Sequence, residues 1–158
     1  MLIAVEIASF AVHAEKNTPL IILKETGGER TLAAPIATPE ASAIAIKSLN
    51  VRCETALTID VLKTVVESLG GKLDKVVIRA AGNDFSARLH IFSDTRVHAV
   101  ECSCGDGIAL AMRSNAPIFV DEGLFLANEV NSRLSEKEIL RQAIAAAATL
   151  EFGTYYLQ

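Results

Sequence analysis

Glu40, Asp60 and Asp106 each stand in or just before the first turn of a segment that reads as a helix. Acids at helix starts are stabilised by the positive end of the dipole and by capping, which by itself explains them. If those three starts converge at one end of the fold, the same carboxylates become hard oxygen ligands. They could then hold Mg or Mn, the ions that phosphodiester hydrolysis commonly uses to polarise a phosphoryl oxygen and activate water. A second group is basic. With Ser93-Asp94-Thr95 as a three-residue hairpin loop, His90 falls opposite His98, and Arg88 shares its face with Arg96. Lys75 and Arg79 extend that stripe on the neighbouring strand, giving a band suited to a phosphate backbone, or simply the solvated face of an antiparallel sheet. Paired histidines without a third ligand are a weak zinc signal.

Cys102-Ser103-Cys104 places two thiols at a strand end with no second Cys/His pair at finger spacing, so buried, unreactive cysteine is the reading. Gly105-Asp106-Gly107 lacks the GxxxxGK[ST] pattern of a phosphate loop, and its glycines read as a tight strand-to-helix turn.

The elements that must position these residues follow from periodicity. Leu2 to Val12, Thr18 to Lys24 and Arg30 to Ile36 form a three-strand meander. Thr38-Pro39-Glu40 starts a helix in which the Thr38 hydroxyl can cap, with Ala41, Ile44, Ala45, Ser48 and Leu49 on one face. A second helix from Thr58 has Val61, Leu62, Val65 and Leu69 inward and stops at Gly70-Gly71. Strands at Leu73 to Ala80, Phe85 to Phe92 and Arg96 to Cys102 make a second set. Asp106 then opens a short apolar helix, and a polar turn leads into the buried strand Pro117-Ile118-Phe119-Val120. A short helix lies around Gly123 to Glu129, and Ser135-Glu136-Lys137-Glu138 is a capping box for a last, Ala-rich helix. The expected fold is α+β: a single compact domain of mainly antiparallel sheets packed with several helices. Within it, residues 1–130 form the body and residues 131–158 a helix packed on that body or on a partner subunit.

At 158 residues the chain is long enough for one real core. Aromatic residues are only 5% of it, so that core must be aliphatic. A formal net charge of -4 argues against binding nucleic acid over the whole surface and leaves room for a local basic patch. Three cysteines without a secretory context favour reduced thiols, and Met1 to Glu6 reads as a strand rather than a signal peptide. With no apolar run of the ~20 residues a membrane span requires, a cytoplasmic protein is expected.

The order of these segments resembles the bifunctional nuclease domain family, named for cleavage of both DNA and RNA. Besides Asp106 to Val120, Pro19-Leu20-Ile21-Ile22-Leu23 looks like the family's Pro-aliphatic strand. Pro39-Glu40-Ala41 looks like its Glu-Ala helix, and Leu57-Thr58-Ile59-Asp60-Val61-Leu62 looks like its Leu-Thr-His-Asp-Leu-Leu segment. The family pattern has Arg-Pro where this chain has Thr55-Ala56, histidine at Ile59, and Arg-Pro-Ser-Asp where this chain reads Ser103-Cys104-Gly105-Asp106. Arg52 lies near enough to replace one arginine. The resemblance implies a metal-dependent nuclease acting on RNA or DNA. Asp60, Asp106 and Glu40 would be its catalytic and Mg- or Mn-holding residues, and Arg88, His90, His98, Arg96 and Arg52 its nucleic-acid contacts, with no organic cofactor. The departures support an alternative: a catalytically inactive, homo-oligomeric binding module, such as a dimer, that keeps the fold.

Overall fold

A computed structural model describes residues 1–127 of the chain. Seven strands form one sheet in the order β3-β2-β1-β7-β4-β5-β6. The first meander is β1 (Leu2–Val12), β2 (Pro19–Glu25) and β3 (Thr31–Pro35); the second is β4 (Gly71–Ala81), β5 (Asp84–Ser93) and β6 (Arg96–Ser103). The two expected sets of strands therefore belong to a single sheet. The link is the four-residue β7 (Ile118–Asp121), which pairs antiparallel with β1 and parallel with β4. The sequence marks this strand as buried, but only its pairing on both sides shows that it closes the gap.

Helices cover one face, and the core lies between. Ile21, Leu23, Leu32, Ile78, Val76 and Val120 point to that face from the sheet, and Ile44, Ile108 and Leu110 meet them from the helices. Each is below 2% exposed, as an aliphatic core built from alternating strand positions requires.

Two details of the helices depart from expectation. Helix α1 (Thr38–Ser48) is capped at Ala37, so Thr38 is already helical, and Glu40 reaches back to accept the Ala37 amide N–H at 2.9 Å. Ile44 and Ile46 are buried on it, while Leu49 is exposed. Helix α2 (Thr58–Ser68) turns a different face inward: Ile59 is buried, Lys63 and Val66 are half-buried, and Val61, Leu62, Val65 and Leu69 are 41–77% exposed. Its apolar stripe is real, but the helix packs on α3 and β4 through the neighbouring side. Gly70, at φ +78, ends it as expected.

The β5–β6 connection is a two-residue turn, Asp94-Thr95, with Ser93 opposite Arg96 and Asp94 in the left-handed region. His90 therefore faces Ala99, and His98 faces Ile91. Shortening the loop by one residue slips the register by one and moves His98 and Arg96 to the opposite face from His90 and Arg88.

Helix α3 (Cys104–Ser114) runs from the end of β6 across the sheet and is buried along most of its length. Gly105 and Gly107 lie inside it rather than in a turn. A Cβ at Gly107 would overlap the Ala87 side chain and sit 3.2 Å from Val76 Cγ1, so the missing side chain sets how closely helix meets sheet. Gly107→Ala should lower stability by about 1–3 kcal/mol through overpacking. Chemical denaturation would measure it, and an unchanged midpoint would show that the sheet yields.

Candidate functional site

Helix α3 has chemically opposite ends. At its start Ser103 is the N-cap, its Oγ accepting the Asp106 amide N–H at 3.1 Å and donating its own proton to Glu40 Oε1 at 2.5 Å. Because Glu40 Oε2 also closes the first turn of α1, one carboxylate ties together the starts of two helices. A Cβ at Gly105 would overlap Glu40, so that glycine lets α1 come alongside. Asp106 is exposed beside this junction. Burial raises the Cys102 thiol to about 11, with the charges of Asp106, Glu101 and Glu40 acting in the same direction. Burial, then Glu40, raises Cys104 to about 12. Both thiols stay protonated at neutral pH and are poor nucleophiles.

At the other end, Arg113 is only 7% exposed. Its Nε donates to Asp60 Oδ1 at 2.7 Å, Nη1 to the Ala109 carbonyl at 3.2 Å and Nη2 to the Ala43 carbonyl at 3.0 Å. Helices α1, α2 and α3 are thus joined through one guanidinium. Asp60 Oδ2 accepts the Leu57 amide N–H at 3.2 Å, which closes the first turn of α2 and fixes the carboxylate. Against this pair opens a shallow cleft of about 220 Å³, with Lys47, Asn50, Arg52 and Cys53 in its wall. Its lining brings three cations against one carboxylate, a local excess of positive charge in an acidic chain.

The three acids therefore divide. Glu40 and Asp106 share the start of α3. Asp60 is bound to Arg113, seven residues and about 10 Å further along that helix. Among the described residues no three His, Cys, Asp or Glu side chains converge as a metal site. A divalent ion held by all three acids together does not fit, because Asp60 is separated from the others and already neutralised by a fixed cation.

The basic candidates divide as well. Arg88 and His90 lie on the open face of the sheet with Lys75 and Arg79, whereas Arg96 and His98 lie on the helix face of β6. Arg88 is ion-paired to Glu101 on the neighbouring strand. Partial burial and the cations Lys75 and Arg88 lower the His90 pKa, which favours its neutral form. One nucleic-acid strand cannot contact both faces without passing the β6 edge. Arg52 does reach the Asp60 cleft. Arg113, which completes it, carries no distinguishing sequence signal: an arginine in a last helical turn reads as a complement to the dipole, and its partner is 53 positions away.

Residues 21–133 match the bifunctional nuclease domain family, a span that includes Glu40, Asp60, Asp106 and Arg113 and leaves out β1. An uncharacterised protein of Mycobacterium tuberculosis strain CDC 1551 / Oshkosh is 30% identical over 121 residues, covering 76% of this chain and 72% of that one. An uncharacterised protein of strain H37Rv matches to the same extent.

Two outcomes follow from the geometry. With native protein at mildly alkaline pH, iodoacetamide should modify the exposed Cys53 and spare Cys102 and Cys104 until denaturant is added. Mass spectrometry showing early modification of either would contradict the burial of Cys104 or the raised thiol pKa of half-buried Cys102. Asp60→Ala should cost roughly 2–4 kcal/mol, because it leaves the buried guanidinium short of its charged partner. A denaturation midpoint within error of wild type would show that water replaces the carboxylate.

Proposed function

The chain belongs to the bifunctional nuclease domain family, and on that premise we propose that it acts on phosphodiester bonds of RNA or DNA held at the α1–α2–α3 cleft. The observation that carries this reading is Arg113, buried and fixed by three acceptors, opening onto a cleft whose wall holds Lys47 and Arg52. A guanidinium keeps its charge throughout the accessible pH range and offers a planar fork to phosphate oxygens. Arg113 already donates from Nε, Nη1 and Nη2 to Asp60, Ala109 and Ala43, so it fixes the floor of the cleft and leaves the free fork to the exposed Arg52. Lys47 and Arg52 meet the flanking phosphates. Asp60 acts through Arg113, as a positioning residue.

A second reading is favoured by Ile59. Where the family motif places a histidine, this isoleucine is buried in the core, leaving no imidazole beside Asp60 to move a proton. In that reading the cleft binds phosphate backbone without cutting it.

Labelled RNA and DNA, incubated with the purified chain in Mg, in Mn and with chelator, separate these cases. Cleavage that falls about tenfold in Arg52→Ala, with unchanged circular dichroism, supports hydrolysis at the cleft. Binding without cleavage, weakened by the same variant and with its salt slope reduced by about 1, supports the binding module. Metal-dependent cleavage that survives Arg52→Ala and is lost in Asp106→Asn would move the chemistry to the start of α3 and overturn the proposal.

A further inference from the structure

Free positive charge in the helix layer is confined to one place. Residues 37–70 and 104–117, which make α1, α2, α3 and the loops between and after them, contain as cations Lys47, Arg52, Lys63 and Arg113. Lys63 is ion-paired to Glu67 along α2, and Arg113 is committed to Asp60 and two carbonyls. Lys47 and Arg52 are exposed, have no ion pair among the described residues, and both line the cleft. Asp60 opposes them little, because Oδ1 is held by Arg113 and Oδ2 by the Leu57 amide.

The surroundings do not continue this charge. Glu54 follows in the same loop, and on the outward row of α2 Val61, Leu62 and Val65 are 41–49% exposed. Glu40 and Asp106 occupy the other end of α3. Arg30, near α4, is paired to Glu25 and Glu122. Arg96 starts β6 opposite Ser93, which also pairs with Gly71, so it stands at the far end of α2 from Asp60, about 15 Å along that helix. A strand bound through its backbone is gripped by a track of cations that neutralise successive phosphates. Here the free cations stand at a single point.

We infer that the flanking phosphate met by Lys47 and Arg52 is the end of a strand, a terminal phosphomonoester. The inference rests on the proposed action on RNA or DNA and narrows it to strands phosphorylated at one terminus. A phosphomonoester carries about −1.5 to −2 at neutral pH and offers three strong acceptor oxygens, whereas an internal diester carries about −1. Two free cations at one point match the larger charge: Arg52 offers a planar fork to two oxygens and Lys47 a point charge to the third. The cleft, about 220 Å³, is smaller than the roughly 300–1,000 Å³ of sites that enclose whole drug-sized ligands, which suits a phosphate and its sugar. Val51, 51% exposed, gives that sugar an apolar wall. A strand that ends in the cleft needs no cations beyond it.

Oligonucleotides of one sequence, internally labelled and carrying a phosphate at the 5′ end, at the 3′ end, at neither end, or circularised, test this by fluorescence anisotropy with the full chain in chelator. The 5′- or the 3′-phosphorylated form should bind roughly tenfold or more tightly than the hydroxyl-ended and circular forms, and which of them does so gives the polarity. Arg52→Ala and Lys47→Ala, each with wild-type circular dichroism, should remove most of that preference. Equal binding of all four forms, weakened alike by Arg52→Ala, overturns the inference and leaves the proposed function standing. A preference for phosphorylated ends that neither variant changes overturns it by placing the end elsewhere. No binding of any form, together with no cleavage in Mg or Mn, overturns the inference along with the reading on which it rests.

Discussion

Helix α3 can lie against the sheet only because position 107 has no side chain, and the rest of the fold is arranged around that contact. With the helix axis drawn in, Ile108 and Leu110 reach full burial against strand residues such as Val76 and Ile78. Interiors of this density transmit small changes in volume directly. Gly105 plays the corresponding part sideways, giving Glu40 the space from which it joins the starts of α1 and α3. A core of aliphatic residues with few large aromatics suits this arrangement, because small side chains let backbones approach closely.

A helix buried so completely must satisfy both of its ends. At the start this is done by Ser103, which accepts the Asp106 amide N–H and donates its own proton to the Glu40 carboxylate. Near the end Arg113 donates to carbonyls of α1 and α3 and to the carboxylate of α2. Burying that charge is tolerable because Asp60 opposes it and is itself held by the Leu57 amide. The contacts by which Arg113 joins the three helices therefore leave a fixed guanidinium at the base of a basic cleft. The proposed function draws on a group that the fold already needs.

Charge separates along α3 in consequence. Glu40 and Asp106 gather at one end, with two thiols whose ionisation they oppose; Lys47, Arg52 and Arg113 gather at the other. An acidic chain can in this way offer a local site for phosphate while the surrounding surface repels it.

Much of this was legible in the residues. β-rich runs between turn residues marked all seven strands, helix starts at Thr38 and Thr58 and the stop at Gly70 held to within a residue, and the order of segments indicated the family. The expected final helix from Ser135 lies outside the described residues. What periodicity could not decide was which of two neighbouring faces a helix buries, and so the α2 stripe points outward. Nor could it place the hairpin register: one loop residue more or fewer exchanges the faces of His98 and Arg96. Local sequence determines local conformation, because capping, turn chemistry and hydropathy act within a few residues. Whether Asp60 meets Asp106 or Arg113 depends on how α2 and α3 cross. That crossing is set by Gly107 against Ala87 and by packing between residues far apart in the chain, so only the tertiary structure could divide three similar acids between two sites.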